Sequence, residues 1–323
     1  MPDTKPLQYR IIERLRGPVR DERAEVIAGL LADPASTSPK YFYDELGCAL
    51  YGAICELPEY YPTRTEHALF REHRLEIARH FAHGSQFVDL GAGDCCKAQS
   101  WLSFANPSRY IAVDIAGPEI ARALARMAPD HPGIEMLGVV TDFSHELDLG
   151  DALDARSATF FYPGSSIGNF TPAEATSFLA RIHALCEERP GSGLLIGVDA
   201  KKEKARLDAA YDDSLGVTAA FNRNVLVHLN RRFGFDFALD GWAHRGFYNA
   251  QAGRIEMHLE AVRDQRVRLG DRARDFRAGE RIHTENSYKY SREEFEAVLR
   301  DAGFGSITAW TVEQGAYWVF FAS

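Results

Sequence analysis

An α/β fold, a parallel sheet covered by helices on both faces, is predicted by three features of this 323-residue sequence. From Phe87 onward, apolar strand-like runs alternate with amphipathic helical runs, the rhythm of consecutive βαβ units. The first strand, in "FVDLGAG", breaks into a glycine turn directly before a helix. The next two strand-like runs end on acids, Asp114 and Asp142, which gathers polar groups at one edge of the sheet.

The elements follow in order. The first sixty residues read as helical, with "RDERAEVIAGLLA" an amphipathic run. Arg10, Arg14, Arg16 and Arg20, interleaved with acids, read as a solvated helix face. "ELPEYYPTRTE" marks a turn into another helix, with Pro62 near its start and Glu66, three residues after Thr63, as a capping-box acid. The series itself runs through the strand "FVDLGAG", the helix "KAQSWLSFA", the strand "RYIAVDIA" and the helix "GPEIARALARMA". It continues with "IEMLGVVTDF", the strand "ATFFYPGSSIGNF", the helix "PAEATSFLARIHALC" and the strand "GSGLLIGVDA". Past Asp199 the rhythm changes: "KEKARLDAAYDDSLGVTAAFNRNVLVHLNRRFG" is mostly helical, and "GRIEMHLEAVRDQRVRL" alternates as a hairpin-like unit. The tail returns to helix, strand, strand. No Pro/Ser-rich linker or repeat interrupts the chain, so Lys201 to about Lys289 reads as an insertion that caps the sheet edge. With the N-terminal helices it would form a second, discontinuous α+β domain. The expected division is 1–62 and 201–289 for the cap, and 63–200 with 290–323 for the sheet core.

Composition excludes several classes. A net charge of −9 argues against a nucleic-acid surface, which needs a concentrated Lys/Arg field. No run approaches the roughly 18 apolar residues of a membrane span, and "MPDTKPLQYRIIERLRG" lacks the apolar core of a secretion signal. The five cysteines show neither C-x-x-C spacing nor a zinc-finger histidine pattern. Free thiols, a cytoplasmic location, a monomer and no bound metal are the expectation.

The glycine loop points to a nucleoside. Gly91-x-Gly93 lies between strand and helix, but Cys96 stands where a dinucleotide fingerprint has its third glycine. Asp114 ends the next strand, where a carboxylate can accept both ribose hydroxyls. Asp142 can accept from an adenine amino group while Phe143 packs near the ring. These three in register suit an adenosine ligand without a pyrophosphate, and S-adenosylmethionine is such a ligand. Singly, turn glycines and capping aspartates explain each as well. Asn169, after the small residues of "YPGSSIGNF", offers donor and acceptor at the same edge, although it can equally be the N-cap of the helix starting near Pro172.

The sequence also resembles the L-histidine Nα-methyltransferases that make hercynine, the first step to ergothioneine. The resemblance rests on "FYDELGCALYGAICELPEYYPTRTE", "DLGAGDCCKA", "GSSIGNF", "AYDDSLGVTAAFNRNVL", "RIEMHL" and "TENS", and runs over nearly the whole chain. Fungal dimethylallyltryptophan N-methyltransferases share the architecture. The resemblance implies a Rossmann-like class I methyltransferase sheet with a discontinuous substrate-capping domain. It implies cofactor contacts at Gly91, Lys97, Asp114, Asp142 and Phe143, and amino-acid contacts at Tyr60, Asn169, Tyr211, Glu285 and Ser287. Tyr43 and Met257 should line the same pocket, with Tyr43 and Asn169 positioning the reacting amine. Two departures bear on substrate preference: Cys95-Cys96 replaces a more usual small or acidic pair, and Tyr51 stands where the family often has an apolar aromatic.

These residues make chemical sense for the expected substrate. Tyr211 and Asn169 can donate to a carboxylate, while Glu285 and Ser287 suit the two nitrogens of an imidazole. The expected reaction is three in-line methyl transfers from S-adenosylmethionine to the α-amino group of L-histidine, dominated by positioning rather than by a dedicated base. The rival readings are a methyltransferase for another amino acid or aromatic amine, and a non-catalytic sensor of S-adenosylmethionine or histidine. A nicotinamide dehydrogenase is disfavoured by the missing third glycine.

Overall fold

The computed structural model describes residues 9–14, 22–143 and 147–323. Strand β1 (Tyr9–Glu13), helix α1 (Glu22–Leu31), the short strand β2 (Ala35–Ser36) and helices α2 (Glu45–Glu56) and α3 (Tyr61–Ala78) come first. The alternating series is β3 (Gln86–Leu90), α4 (Cys96–Ala105), β4 (Arg109–Asp114), α5 (Gly117–Met127), β5 (Glu135–Val140), β6 (Ala158–Tyr162), α6 (Pro172–Glu187) and β7 (Gly193–Asp199). Helices α7 (Lys204–Tyr211) and α8 (Val217–Phe233) then lead into β8 (Trp242–Asn249), β9 (Arg254–Ala261), β10 (Gln265–Leu269), β11 (Arg272–Phe276) and β12 (Arg281–Tyr288). The chain closes with α9 (Arg292–Asp301), β13 (Ile307–Val312) and β14 (Tyr317–Ala322).

The large sheet has the order β1-β5-β4-β3-β6-β7-β14-β13. Its first six strands are parallel, and β14 enters antiparallel between β7 and β13. Strands β3, β6 and β7 are buried at every position, as expected of apolar runs covered on both faces. Successive residues feed opposite faces. Val88 and Phe160 join one core with Phe178 and Phe295, whereas Phe87 and Phe161 join the other with Phe70 and Trp101. The chain order reverses between β3 and β6, so the loops after these strands part and leave a crevice at their C-terminal ends.

A third core unites distant parts of the chain. Val26 and Leu30 of α1 and Ile54 of α2 pack with Leu207 of α7, Val225 of α8, and Leu259 and Ile282 of a smaller sheet. That sheet has the order β2-β12-β9-β8, with β10 and β11 as a separate hairpin. It stands over the crevice, where Lys289 and Tyr290 run alongside the end of β7: the Tyr290 amide donates to the Asp199 carbonyl.

Four sequence expectations are corrected. Tyr9–Glu13 is not helical but pairs with β5, from Tyr9 opposite Met136 to Glu13 opposite Val140; adjacent β-branched Ile11 and Ile12 favour the strand. Arg10 is exposed on that strand, and Arg14 pairs with Asp148 and Asp151 instead of covering a helix; Arg16 and Arg20 lie outside the described residues. "GRIEMHLEAVRDQRVRL" is not one hairpin, because β9 lies between β8 and β12 while β10 pairs with β11. The region read as mostly helical up to Lys289 also contains β8, β11 and β12. Their pattern was hidden because inward positions of β8 carry His244 and Gly246, and a bulge between His283 and Glu285 breaks the alternation of β12.

Gly197 of β7 offers a test of this packing. A Cβ there would lie 2.3 Å from a Glu66 carboxylate oxygen and 2.6 Å from the Tyr317 hydroxyl, whereas at Gly52 of α2 it would meet nothing within 4 Å. Gly197→Ala should therefore lower stability by about 1–3 kcal/mol, while Gly52→Ala is neutral or stabilising. Denaturation midpoints of the two variants check this.

Candidate active site

Backbone conformation shapes the donor side of the crevice. After β3 the chain turns through Gly91 (φ +70°), Gly93 (φ +51°) and Cys95 (φ +61°) into α4. Cys95 holds a left-handed conformation unusual for a non-glycine residue, and it is fully buried. Asp114 fixes the loop from the neighbouring strand: its carboxylate accepts from the Gly93 amide and the Ala116 amide, each at 2.9 Å. Phe143 follows β5, its ring edge-on to Tyr162 and tilted over Phe178. A Cβ on Gly91 would lie 3.8 Å from Phe143, so loop and ring share one wall. Asp142 precedes Phe143 just past the end of β5. Two left-handed glycines, a carboxylate at the β4 end and an aromatic wall after β5 fit the adenosine half of S-adenosylmethionine.

Lys97, in the first turn of α4, reaches toward the other half of the crevice. It donates to Glu66 at 2.7 Å, and a Cβ on Gly164 would lie 2.9 Å from its ammonium. Glu66 is not the capping-box acid expected: Tyr60 occupies the N-cap of α3 without a side-chain bond. The Glu66 carboxylate is instead fully buried, accepting also from the Gly164 amide and the Tyr317 hydroxyl, both at 2.6 Å. Three donors satisfy this buried carboxylate. It thereby fixes both Lys97 and the turn that follows β6.

That turn begins a second, adjoining cleft. All seven residues expected to contact the amino acid line it: Tyr43, Tyr60, Asn169, Tyr211, Met257, Glu285 and Ser287. The five expected cofactor residues do not line it. Gly91 and Asp114 lie at the C-terminal ends of β3 and β4 and Lys97 in the first turn of α4, with Asp142 and Phe143 just past β5. The lining also includes Ser165, Thr218 and Phe221, which were not assigned from sequence, and Tyr51. Tyr43, Tyr51, Tyr60 and Tyr211 form a chain of edge-on rings, with centroid distances of 5.9, 6.4 and 6.0 Å. Tyr51, the departure from the family pattern, is thus a wall of the cleft.

Local structure explains why these side chains point inward. Thr171, not Asn169, caps α6, forming a reciprocal capping box with Glu174, which leaves Asn169 available to hydrogen-bond Glu285. The bulge in β12 sets Glu285 opposite Met257 on β9, and the Thr284 hydroxyl anchors it to Asn222 of α8. Glu285 and Ser287 are therefore buried rather than on an exposed strand face. Burial pushes the Glu285 carboxyl up to about 7, although the Lys289 charge and the bond from Asn169 act to lower it.

Behind the cleft lies a buried ionic cluster that the sequence reading missed. Asp199, at the end of β7, accepts from Lys289 at 2.9 Å, Lys202 at 2.5 Å and the Tyr61 hydroxyl at 2.7 Å. Burial opposes the Asp199 charge, but the two ammonium groups outweigh it and lower its pKa. Burial likewise pulls Lys202 down to about 8 against the pull of Asp199. The signals were present in "GVDAKK" and "TENSYKY", as an acid and lysines at strand ends. Among the described residues, no group of three or more His, Cys, Asp or Glu could hold a metal, and no helix is long and apolar enough to cross a membrane. The five cysteines are all unpaired.

Comparison with known proteins agrees with this chemistry. Residues 22–323 match the family model described as histidine-specific methyltransferase, SAM-dependent. The chain is 40% identical to a histidine N-alpha-methyltransferase of Mycolicibacterium smegmatis, covering 91% of this chain and 92% of that protein. It is 31% identical to ergothioneine biosynthesis protein 1 of Neurospora crassa over 83% of this chain but only 31% of that longer protein. A 4-dimethylallyltryptophan N-methyltransferase of Arthroderma benhamiae is 26% identical over 90% of this chain and 89% of that one.

Two predictions come from the buried carboxylates. Glu66→Gln removes the charge that holds Lys97, and should weaken S-adenosylmethionine about tenfold, with little change in histidine affinity at saturating cofactor; calorimetric titration measures both. Glu285 has a folded pKa of about 7, above the ordinary 4.5. An acid shifted upward costs stability as pH rises from its unfolded pKa to its folded one, because the unfolded chain ionises first, and the loss is complete above the folded pKa. Unliganded Glu285→Gln should therefore gain on the wild type between pH 4.5 and 7, levelling off near roughly 3 kcal/mol. Urea midpoints at acidic and alkaline pH read the difference.

Proposed function

The chain belongs to the family of histidine-specific, S-adenosylmethionine-dependent methyltransferases, and from that premise we propose how its two clefts carry out the transfer. The protein is an S-adenosylmethionine-dependent N-methyltransferase that methylates the α-amino group of histidine, in ergothioneine biosynthesis. The observation that carries the detailed reading is Glu285, a carboxylate only 9% exposed that lines the cleft beside hydroxyls and aromatic rings. A buried acceptor of this kind suits an imidazole N–H and is left unpaired by a phenyl ring.

In this reading residues 63–200 and 290–323, joined by strand β1, hold the donor, and residues 22–62 and 201–289 cap the acceptor. Gly91, Asp114, Asp142 and Phe143 hold the adenosine half of S-adenosylmethionine, and Lys97 faces its amino-acid half. The donor supplies an electrophilic methyl group on a sulfonium sulfur. Asn169 and Tyr211 donate to the histidine carboxylate, Tyr60 closes the wall beside them, and Glu285 with Ser287 holds the imidazole. Met257 packs against the ring. Tyr43, 38% exposed at the cleft mouth, and Asn169 orient the amine. An amine with a pKa near about 8 is partly neutral at physiological pH, so alignment supplies the rate without a dedicated base. Protons pass to water through the open mouth, and three rounds give the trimethylammonium betaine. The acidic charge of −9 and the unpaired cysteines support a cytoplasmic protein, here taken as a monomer, acting on a free amino acid.

Mass spectrometry of purified protein supplied with S-adenosylmethionine and each common amino acid tests this. Histidine should gain three methyl groups, and Glu285→Ala should lower kcat/KM for histidine by at least about 100-fold. Methylation of another amine with histidine untouched would refute the acceptor assignment. Cofactor binding without transfer to any amino acid would make the protein a sensor.

A further inference from the structure

The mechanism above leaves one buried cation unused. Lys289 lies just past β12 with its side chain fully buried, as is that of its partner Asp199. An ammonium has three N–H donors, and all three of Lys289 are accounted for. They reach Asp199 at 2.9 Å, the Tyr211 hydroxyl at 3.0 Å and the Ser287 hydroxyl at 2.9 Å. The last two belong to the cleft lining. The ammonium therefore sits immediately behind the wall against which the amino acid is proposed to rest.

The charge count of this cluster is uneven. One carboxylate, Asp199, is shared by two ammonium groups, Lys289 and Lys202, and its remaining donor, Tyr61, is neutral. Lys202 also reaches the Tyr61 hydroxyl and the Ala200 carbonyl, on the side away from the cleft. Excess positive charge is thus buried behind Tyr211 and Ser287, where weak dielectric screening makes it felt strongly. Glu285 is the acid of the cleft lining that feels Lys289, and it is committed to the opposite end of the proposed substrate.

Resting on the proposed acceptor site, we infer that Lys289 is the positioning residue for the substrate carboxylate, acting through the hydroxyl of Tyr211, while its bond to Ser287 holds the neighbouring hydroxyl in place. Because Lys289 donates to both oxygens from behind, each hydroxyl keeps its proton for a partner on the other side. Tyr211 spends its proton on Ser287 Oγ, 3.1 Å away. A carboxylate entering the cleft is a stronger acceptor and draws that proton forward. The Ser287 proton is free in either state to point at an imidazole nitrogen. The excess charge of the cluster then compensates the carboxylate without any cationic side chain entering the cleft, where it would compete with the methylated nitrogen.

The test compares two ligands on two proteins. Calorimetric titration at one pH, with S-adenosylhomocysteine present, measures binding of L-histidine and of L-histidinamide, which lacks the anionic carboxylate. The wild type should favour histidine, and Lys289→Met should weaken histidine about 10- to 100-fold while changing histidinamide less than about threefold. Lys289→Gln keeps a hydrogen-bonding side chain without the charge and should behave alike; it also serves if the methionine variant melts early, since Asp199 retains Lys202 and Tyr61 in both. Parallel loss of both ligands, or unchanged histidine binding, overturns the role of Lys289 while leaving the carboxylate contacts standing. A wild type that binds both ligands equally overturns the carboxylate assignment itself and this inference with it.

Discussion

The end of strand β7 carries the constraint on which the rest of the molecule depends: a charge buried where sheet and cap meet. Asp199 accepts from Lys289 beyond β12, from Lys202 ahead of α7 and from Tyr61 at the start of α3, while its own amide donates to Ser165 in the turn after β6. Buried ion pairs are weak contributors to stability against an apolar alternative, but removing one partner is costly. Here the pairing holds four separate segments in one relative placement. In the proposed reading donor and acceptor meet nearby, and an in-line transfer tolerates little misplacement of either.

Glu66 does for the proposed donor side what Asp199 does for the proposed acceptor side. Both are fully buried carboxylates, and each holds a lysine next to a cleft. The loops they fix contain residues held in left-handed conformations, Cys95 before α4 and Ser165 after β6. Such residues persist only where the surrounding structure over-determines them. The donor and acceptor clefts are therefore shaped largely by the fold, before either ligand arrives.

Much of this was legible in the sequence because parallel strands are read from composition alone. β3, β6 and β7 are continuous apolar runs, and Gly91, Asp114 and Asp142 fall at strand ends by simple counting. The cap was less legible. Its strands place His244, Thr284, Glu285 and Ser287 inward, so the pattern that marks a buried face is absent where the cleft is polar. Motif resemblance, not periodicity, identified the seven cleft residues. Asp199, Lys202 and Lys289 escaped, and Glu66 was read as a capping-box acid, because charged side chains are ordinarily exposed and only the tertiary structure reveals these four turned inward.

The pairing of β2 with β12 reaches beyond the finished molecule. Ala35 lies beside Ile282, so the cap joins segments roughly 250 residues apart. As the chain leaves the ribosome, α1 and α2 emerge with apolar faces whose partners in α8 and β12 do not yet exist. The sheet core can assemble through its local βαβ contacts in the meantime, whereas the cap must wait for nearly complete synthesis. The cleft beneath the cap thus forms only after β12 is made, and the early helices are its most exposed point of misassembly.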